Sequence, residues 1–359
     1  MNLLLHVWFP SLVAFFGING LLERTKDVQR AIYTIGFASL TILITSFFTS
    51  STASPRFDLG SGTLGNSNDL AQLLLIGLPG ILLFIGLNKG RKYIFRLLLL
   101  LAIPYMLKVA ASTASRAGML TLMLYGAMIF WSASGLNRLK VGLIVTTIAI
   151  LFFATAPRST IMRYATILPF ISADPADEES ATIKDAAEGS SEQRRALLEQ
   201  SLKMTIYHPL FGVGPGTYES AAADLSKEER LPAMWHGSHN TFTQVSAESG
   251  IPGVIMYVVM LFAAFVGVWR VRKLTAGIPA MDDVHRVSLA MLMILSCFTL
   301  NAFFASLAYL TTFPMLAAMA EALLRATKRE IAALERSRLP VTPTPASAKT
   351  PLRLRATPA

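Results

Sequence analysis

Nine stretches of about twenty mainly apolar residues follow one another along this chain, and that repetition leaves little choice of fold. A bilayer core of about 30 Å is crossed by ~20 residues of helix, because a helix satisfies its backbone N–H and C=O groups without water. The stretches lie at 3–22, 31–50, 69–87, 94–111, 117–134, 141–157, 249–268, 287–304 and 307–324, the last two reading as a tight pair with almost no loop. Only 15% of the 359 residues are charged and 53% are hydrophobic, which excludes an ordinary soluble domain. The start, MNLLLHVWFPSLVAFFG, has no basic n-region and no small-residue cleavage site, so it reads as the first span rather than a signal peptide. The expected fold is all-α: a polytopic transmembrane helical bundle with one long loop containing short amphipathic helices.

Lysines and arginines collect in cytoplasmic loops, which allows the sides to be assigned. One set of connections holds Arg24, Lys26, Arg30, Lys89, Arg91, Lys92, Arg96, Arg138, Lys140, Arg270, Arg272, Lys273 and Arg286, and the basic tail from Arg325 falls on the same side. The opposite short loops hold only Arg56 and Arg116. The net charge of +10 is thus the mark of a membrane topology and not of nucleic-acid binding. The expected layout is N-terminal spans over 1–157, a periplasmic loop region over 158–240, C-terminal spans over 241–325 and a largely disordered cytoplasmic tail over 326–359. Cys297, the only cysteine, permits no internal disulfide.

The long loop carries twelve of the 22 acidic residues, including DPADEES at 174–180, and its stretch to about Ser191 reads as mobile. In EQRRALLEQSLKMTI, 192–206, Leu198, Leu202 and Ile206 recur at helical spacing, as in an amphipathic helix lying on the membrane or the bundle. HPLFGVGPGTY then forms a glycine- and proline-rich turn whose backbone can approach a helix end or a ligand. It lacks the GK[ST] of a nucleotide loop and follows no strand. His208 precedes Pro209, where an extended turn conformation is expected. His236 and His239 are spaced as HxxH, but the nearest further donor, Glu248, is nine residues on, so no metal site is expected.

Arg116 stands against the positive-inside bias in a very short outer loop. One reading is an interfacial anchor that reaches lipid headgroups. The other is a fixed guanidinium, whose planar fork grips phosphate oxygens in pairs. Arg194 and Arg195, on the loop helix, offer a second fork or simply a solvated face. His239 lies at a water boundary before an apolar run, and imidazole is the side chain that accepts a proton near neutral pH. A histidine with two arginines suits attack by a hydroxyl on a carbon that carries a pyrophosphate leaving group.

These residues resemble the O-antigen ligase family, bacterial enzymes that join undecaprenyl-pyrophosphate-linked polysaccharide to lipid A core. His239-Asn240, nine residues, then Gly250-Ile-Pro-Gly253 fits the family's H[NSQ]-x9-GxxG pattern, and Arg116-Ala-Gly-Met-Leu120 fits its R-x3-L pattern. RRALLEQSLKMTIYHPLFGVGPGTY resembles the segment that carries the family's loop arginine, matching Arg194 first and Arg195 second, and GTLGNSNDLAQLLLIGLP at 62–79 resembles its Asn-Asp-Leu-Ala helix start. The resemblance implies a glycosyltransferase C-type fold in the bacterial inner membrane, metal-independent and without cofactor, inverting, with its active site facing the periplasm. It implies His239 as base and Arg116 and Arg194 on the donor pyrophosphate, with Arg195, Asn240, His208, Glu248, Gly250 and Gly253 as substrate-contacting candidates. Gly250 and Gly253 are expected to let the helix that follows pack closely. The implied partners are an undecaprenyl-pyrophosphate-linked glycan donor, a lipid A core or glycan acceptor, and membrane lipids. The same motifs occur in O-antigen polymerases, and a small-anion transporter is the competing class. A transporter should carry charges near the midplane, yet Lys108 and Glu321 lie nearer helix ends.

Overall fold

The computed structural model describes residues 8–49, 57, 59, 66–88, 90, 93–155, 160–161, 164, 178–228 and 237–338. Arg56, Lys89, Arg91, Lys92, His236, the Gly-Thr-Leu-Gly of 62–65, the span start at 3–7, most of 156–177 and the tail from 339 lie outside the described residues. Among those described, every regular element is helical. They are α1 (Phe9–Leu21), α2 (Thr25–Thr49), α3 (Ser67–Leu87), α4 (Tyr93–Ser112), α5 (Arg116–Ser132), α6 (Gly135–Thr155), α7 (Glu178–Tyr207), α8 (Tyr218–Glu228), α9 (Thr241–Thr275), a short 3₁₀ turn (Pro279–Met281), α10 (Asp282–Ala302) and α11 (Thr312–Arg338).

A helix stands at each of the nine expected span positions, and among the described residues five are long and apolar enough to cross a membrane, at 25–48, 67–87, 93–112, 241–275 and 279–302. These make the chain a multi-pass membrane protein. Three expectations change. The last helix runs on to Arg338, so 326–338 is helical. Residues 303–311 form a real connection between α10 and α11, where almost no loop was expected. In the long loop, helix already begins at Glu178.

α3 is apolar on all sides and forms the centre of the bundle with α10. That is where a helix without a polar face must go. Around them pack α2, α4 and α5 on one side and α9 and α11 on the other, with α1 against α11. α2 approaches α3 closely through small residues: a Cβ on Gly36 would lie 3.0 Å from the Ile81 nitrogen, and one on Gly80 would meet the Ile32 carbonyl and, at 3.2 Å, the Gly36 Cα. Pro79 sits inside α3 and cannot donate to the Leu75 carbonyl four residues back. The buried Tyr125 hydroxyl of α5 donates there instead, at 3.1 Å, so the proline links two helices.

The alternating helices place the starts of α3, α5 and α9 at one end of the bundle. Each is capped by its own side chain: Asn66 accepts from Asn68 N, Ser115 from Gly118 N, and Asn240 from Phe242 N and Thr243 N. The opposite end carries most of the described basic residues and is tied differently. Glu330 of α11 accepts from the Thr25 N–H at 3.0 Å and from its hydroxyl at 2.9 Å, and Arg325 donates to the Asn19 and Leu22 carbonyls.

Because backbone atoms line the α2–α3 contact, Gly80→Ala should lower stability by about 1–3 kcal/mol, the usual cost of overpacking. Thermal unfolding in detergent checks this; an unchanged midpoint would mean that the two helices separate freely.

Candidate functional site

The chemistry-bearing residues lie at the capped end, and what organises them is a break in α9. Gly250 has φ of +71°, a left-handed conformation inside an otherwise helical run. Pro252 two residues on has no N–H, so the Glu248 carbonyl loses its helical donor. The break is repaired by the HPLFGVG turn. Ile251 N donates to the Pro209 carbonyl at 2.8 Å, Val213 N to Ala247 O at 2.8 Å, and Gly214 N to Glu248 O at 3.1 Å. Each segment supplies what the other lacks. The glycines are reciprocal: a Cβ on Gly250 would lie 2.6 Å from the Leu210 carbonyl carbon, and one on Gly212 would lie 2.5 Å from the Ala247 oxygen. The turn's backbone thus meets a helix end, as its glycine spacing leads one to expect. Gly250 serves this clasp and not helix–helix packing. Gly253 answers to its own helix, since a Cβ there would lie 2.5 Å from the Ser249 Cβ.

Glu248 lies under the clasp and is 2% exposed. Its Oε1 accepts from Tyr218 N at 3.1 Å and its Oε2 from the Tyr309 hydroxyl, while that same hydroxyl accepts from Gly216 N at 2.6 Å. A buried carboxylate is tolerated only with such partners. Tyr218 is itself buried: its hydroxyl donates to the Leu197 carbonyl at 2.9 Å and stands 2.9 Å from Ser201 Oγ. Burial raises the Tyr218 phenol above its ordinary pKa, the Ser201 contact opposes this, and the Glu248 charge adds to the rise. The arrangement makes Glu248 an internal tie between the long-loop turn, α8 and the 303–311 connection.

That connection also holds His239. Its backbone is left-handed, with φ of +50°, unusual for a residue with a Cβ. Ser306 Oγ accepts from His239 N at 3.0 Å, Thr241 Oγ1 donates to Ala305 O at 2.7 Å, and Leu307 N donates to Thr241 Oγ1 at 2.9 Å. The half-buried histidine therefore stands on a fixed corner one residue before the cap of α9. Asn240 spends its side-chain oxygen on that cap.

Arg116 opens α5, half-buried, directly after the capping Ser115. Asn301, in the last turn of α10, reaches Thr121 at 3.5 Å, which brings the start of α5 beside the 303–311 connection and so to the end where His239 stands. Arg194 is half-buried on α7, Arg195 exposed. Thr205 meets Ser246 at 2.9 Å and Pro209 meets Ile251, so α7 and the start of α9 run in the same direction. Stepping back along both leads to Arg194 on one and toward His239 on the other. His208 is exposed and still closes a helical bond, N to Met204 O at 2.9 Å, where an extended residue was expected. No three His, Cys, Asp or Glu side chains converge as metal ligands among the described residues.

Ser306 and Tyr309 are the residues that sequence reasoning missed. Their only signal is two hydroxyls inside FFASLAYL, a stretch that otherwise reads as span.

A family model described as O-antigen ligase matches residues 101–258, a segment that contains Arg116, α7, the clasp and His239. A search of curated proteins finds no match.

Tyr309→Phe removes a donor from a buried carboxylate and should cost about 1–3 kcal/mol. Combined with Glu248→Gln, the losses should be non-additive by about 0.5–3 kcal/mol in a double-mutant cycle of thermal unfolding. Simple additivity would mean that the two side chains act separately.

Proposed function

Since residues 101–258 are similar to O-antigen ligases, we propose that this protein transfers a glycan from undecaprenyl pyrophosphate to an acceptor hydroxyl, on lipid A core or another glycan, at the periplasmic face of the bacterial inner membrane. The observation that carries the reading is the corner at His239: a proton-accepting side chain on a left-handed backbone held by Ser306, at the bundle end where Arg116 opens α5. In this reading the acceptor oxygen attacks the anomeric carbon as the carbon–oxygen bond to pyrophosphate breaks. His239 takes the hydroxyl proton, and undecaprenyl pyrophosphate departs with the bonding electrons. The sugar inverts. Arg116 and Arg194 hold the pyrophosphate as its charge grows, the role for which paired guanidinium donors are suited.

Asn240, Gly250 and Glu248 then act by position. They cap, bend and tie the segment that carries the base, which leaves Arg195 and His208, both exposed, as the candidates for direct contact with glycan. The sparse basic charge of this end, against the basic opposite end, supports a periplasmic site by the positive-inside rule. The fold the reading implies is the glycosyltransferase C type, acting without metal or cofactor.

His239→Ala should lower turnover of a lipid-linked oligosaccharide by ~10²–10⁴-fold, the usual contribution of a positioned base, with donor binding kept. Arg116→Lys should be nearly as damaging as Arg116→Ala, because an ammonium keeps the charge and loses the two-point grip. The measurement is transfer by purified protein, with and without EDTA. Full activity of His239→Ala would end the proposal, and loss on chelation restored by zinc would replace it with a metal mechanism.

A further inference from the structure

The proposed chemistry leaves unused the apolar ridge at the end of α7. Leu202, Ile206 and Phe211 are 47%, 72% and 83% exposed, and Tyr207 and Leu210 beside them are also exposed. These residues belong to the long loop, outside the apolar spans. The other face of α7 is satisfied: Leu197, Ser201 and Met204 are buried, Met204 against Tyr218, Ala222 and Ala247. The ridge is therefore a second apolar surface on a helix that already has a buried one, and large apolar side chains grouped in this way mark a contact surface.

We propose that Ile206, Leu210 and Phe211 form a wedge seated in the lipid at the membrane boundary, continuous with the lipid-facing side of α9. The clasp fixes its height. Pro209 accepts from Ile251 N, and Ile251 opens the apolar run whose outward residues Ile255, Met256 and Phe262 are exposed as a lipid-facing surface must be. The wedge begins where that surface begins. Direction agrees with height: α7 runs alongside the start of α9 in the same sense, so its last turn points toward the bilayer and its earlier turns, with Glu192, Gln193, Arg194 and Arg195, point away. Exposure of apolar side chains rises along α7 in that order, and Tyr207, with an apolar ring and a polar tip, stands at the level where such residues collect at membrane interfaces. The loop helix does not lie along the membrane; it meets the membrane end-on. Because the turn that carries Phe211 is the one bonded to Ala247 and Glu248, lipid contact at the wedge sets the height of the whole clasp above the bilayer.

This inference depends on α9 crossing a bilayer and not on glycan transfer, so its test needs no activity. The single native thiol, Cys297, is buried, and a nitroxide label can be directed to a new cysteine. Ile206→Cys, Leu210→Cys and Phe211→Cys would each be labelled in full-length protein in phospholipid vesicles. Met256→Cys serves as the lipid-facing reference and Ser220→Cys, exposed on α8, as the aqueous one. Collision with membrane-dissolved oxygen should exceed collision with a water-soluble nickel chelate at the wedge positions, as at Met256→Cys, and the preference should reverse at Ser220→Cys. Nickel-dominated collision at the wedge would place it in water and overturn the proposal. Shielding from both reagents would show a protein surface, such as a second copy, in place of lipid and would overturn it equally. The three side chains are exposed and report separately, so failure of one variant to fold leaves the other two to decide.

Discussion

A helix that meets Pro252 leaves the Glu248 carbonyl without its donor, and a chain that turns left-handed at Gly250 carries the Ile251 N–H away from Ala247. Away from water those unpaired groups would be costly, since packed protein does not replace the lost bonds. They are met by the backbone of a turn some forty residues earlier, which gives its own Pro209 carbonyl and Val213 and Gly214 N–H groups in exchange. Both sides need the contact, and only glycine at 212 and 250 allows the backbones to come so close. The arrangement at this end of the molecule follows from that exchange.

The side chains beneath the clasp convert a local fit into a connection across the bundle. Glu248, enclosed by it, draws Tyr218 N and the Tyr309 hydroxyl into place, and Tyr309 belongs to the connection that also carries Ser306 to the His239 backbone. The left-handed His239 is thus not an isolated strain. It is fixed through the start of α9 and the α10–α11 connection, which the Glu248 contacts join to the long loop. A side chain held on such a corner keeps its height and direction relative to an arginine at the start of α5. A group attached to a free loop would not.

The two helix prolines, Pro79 and Pro252, share one logic. Pro79 frees Leu75 O for Tyr125, and Pro252 frees Glu248 O for Gly214. In each case a helix gives up an internal bond and gains a link to another element, which is how an apolar bundle secures specific contacts when lipid and core side chains are equally oily.

That the chain is a multi-pass bundle of apolar helices was legible in the sequence because hydrophobic length acts locally, residue by residue, on a chain in a bilayer. The caps at Asn66, Ser115 and Asn240 follow the same kind of local rule. The residues that resemble O-antigen ligases could also be picked out, as their spacing is a property of the chain. Their company was not. The 303–311 connection contains neither glycine nor proline and reads as span; it turns because Thr241 and His239 N bond to Ala305, Ser306 and Leu307, groups more than sixty residues away in sequence. Gly250 read as a packing glycine because its left-handed φ makes sense only once Pro209 and Leu210 stand against it. The sequence by itself determined a multi-pass helical bundle and the kinds of side chain at its rim. Only the tertiary structure decided which backbone groups repair one another, since a hydrogen bond between distant segments leaves no periodicity in either.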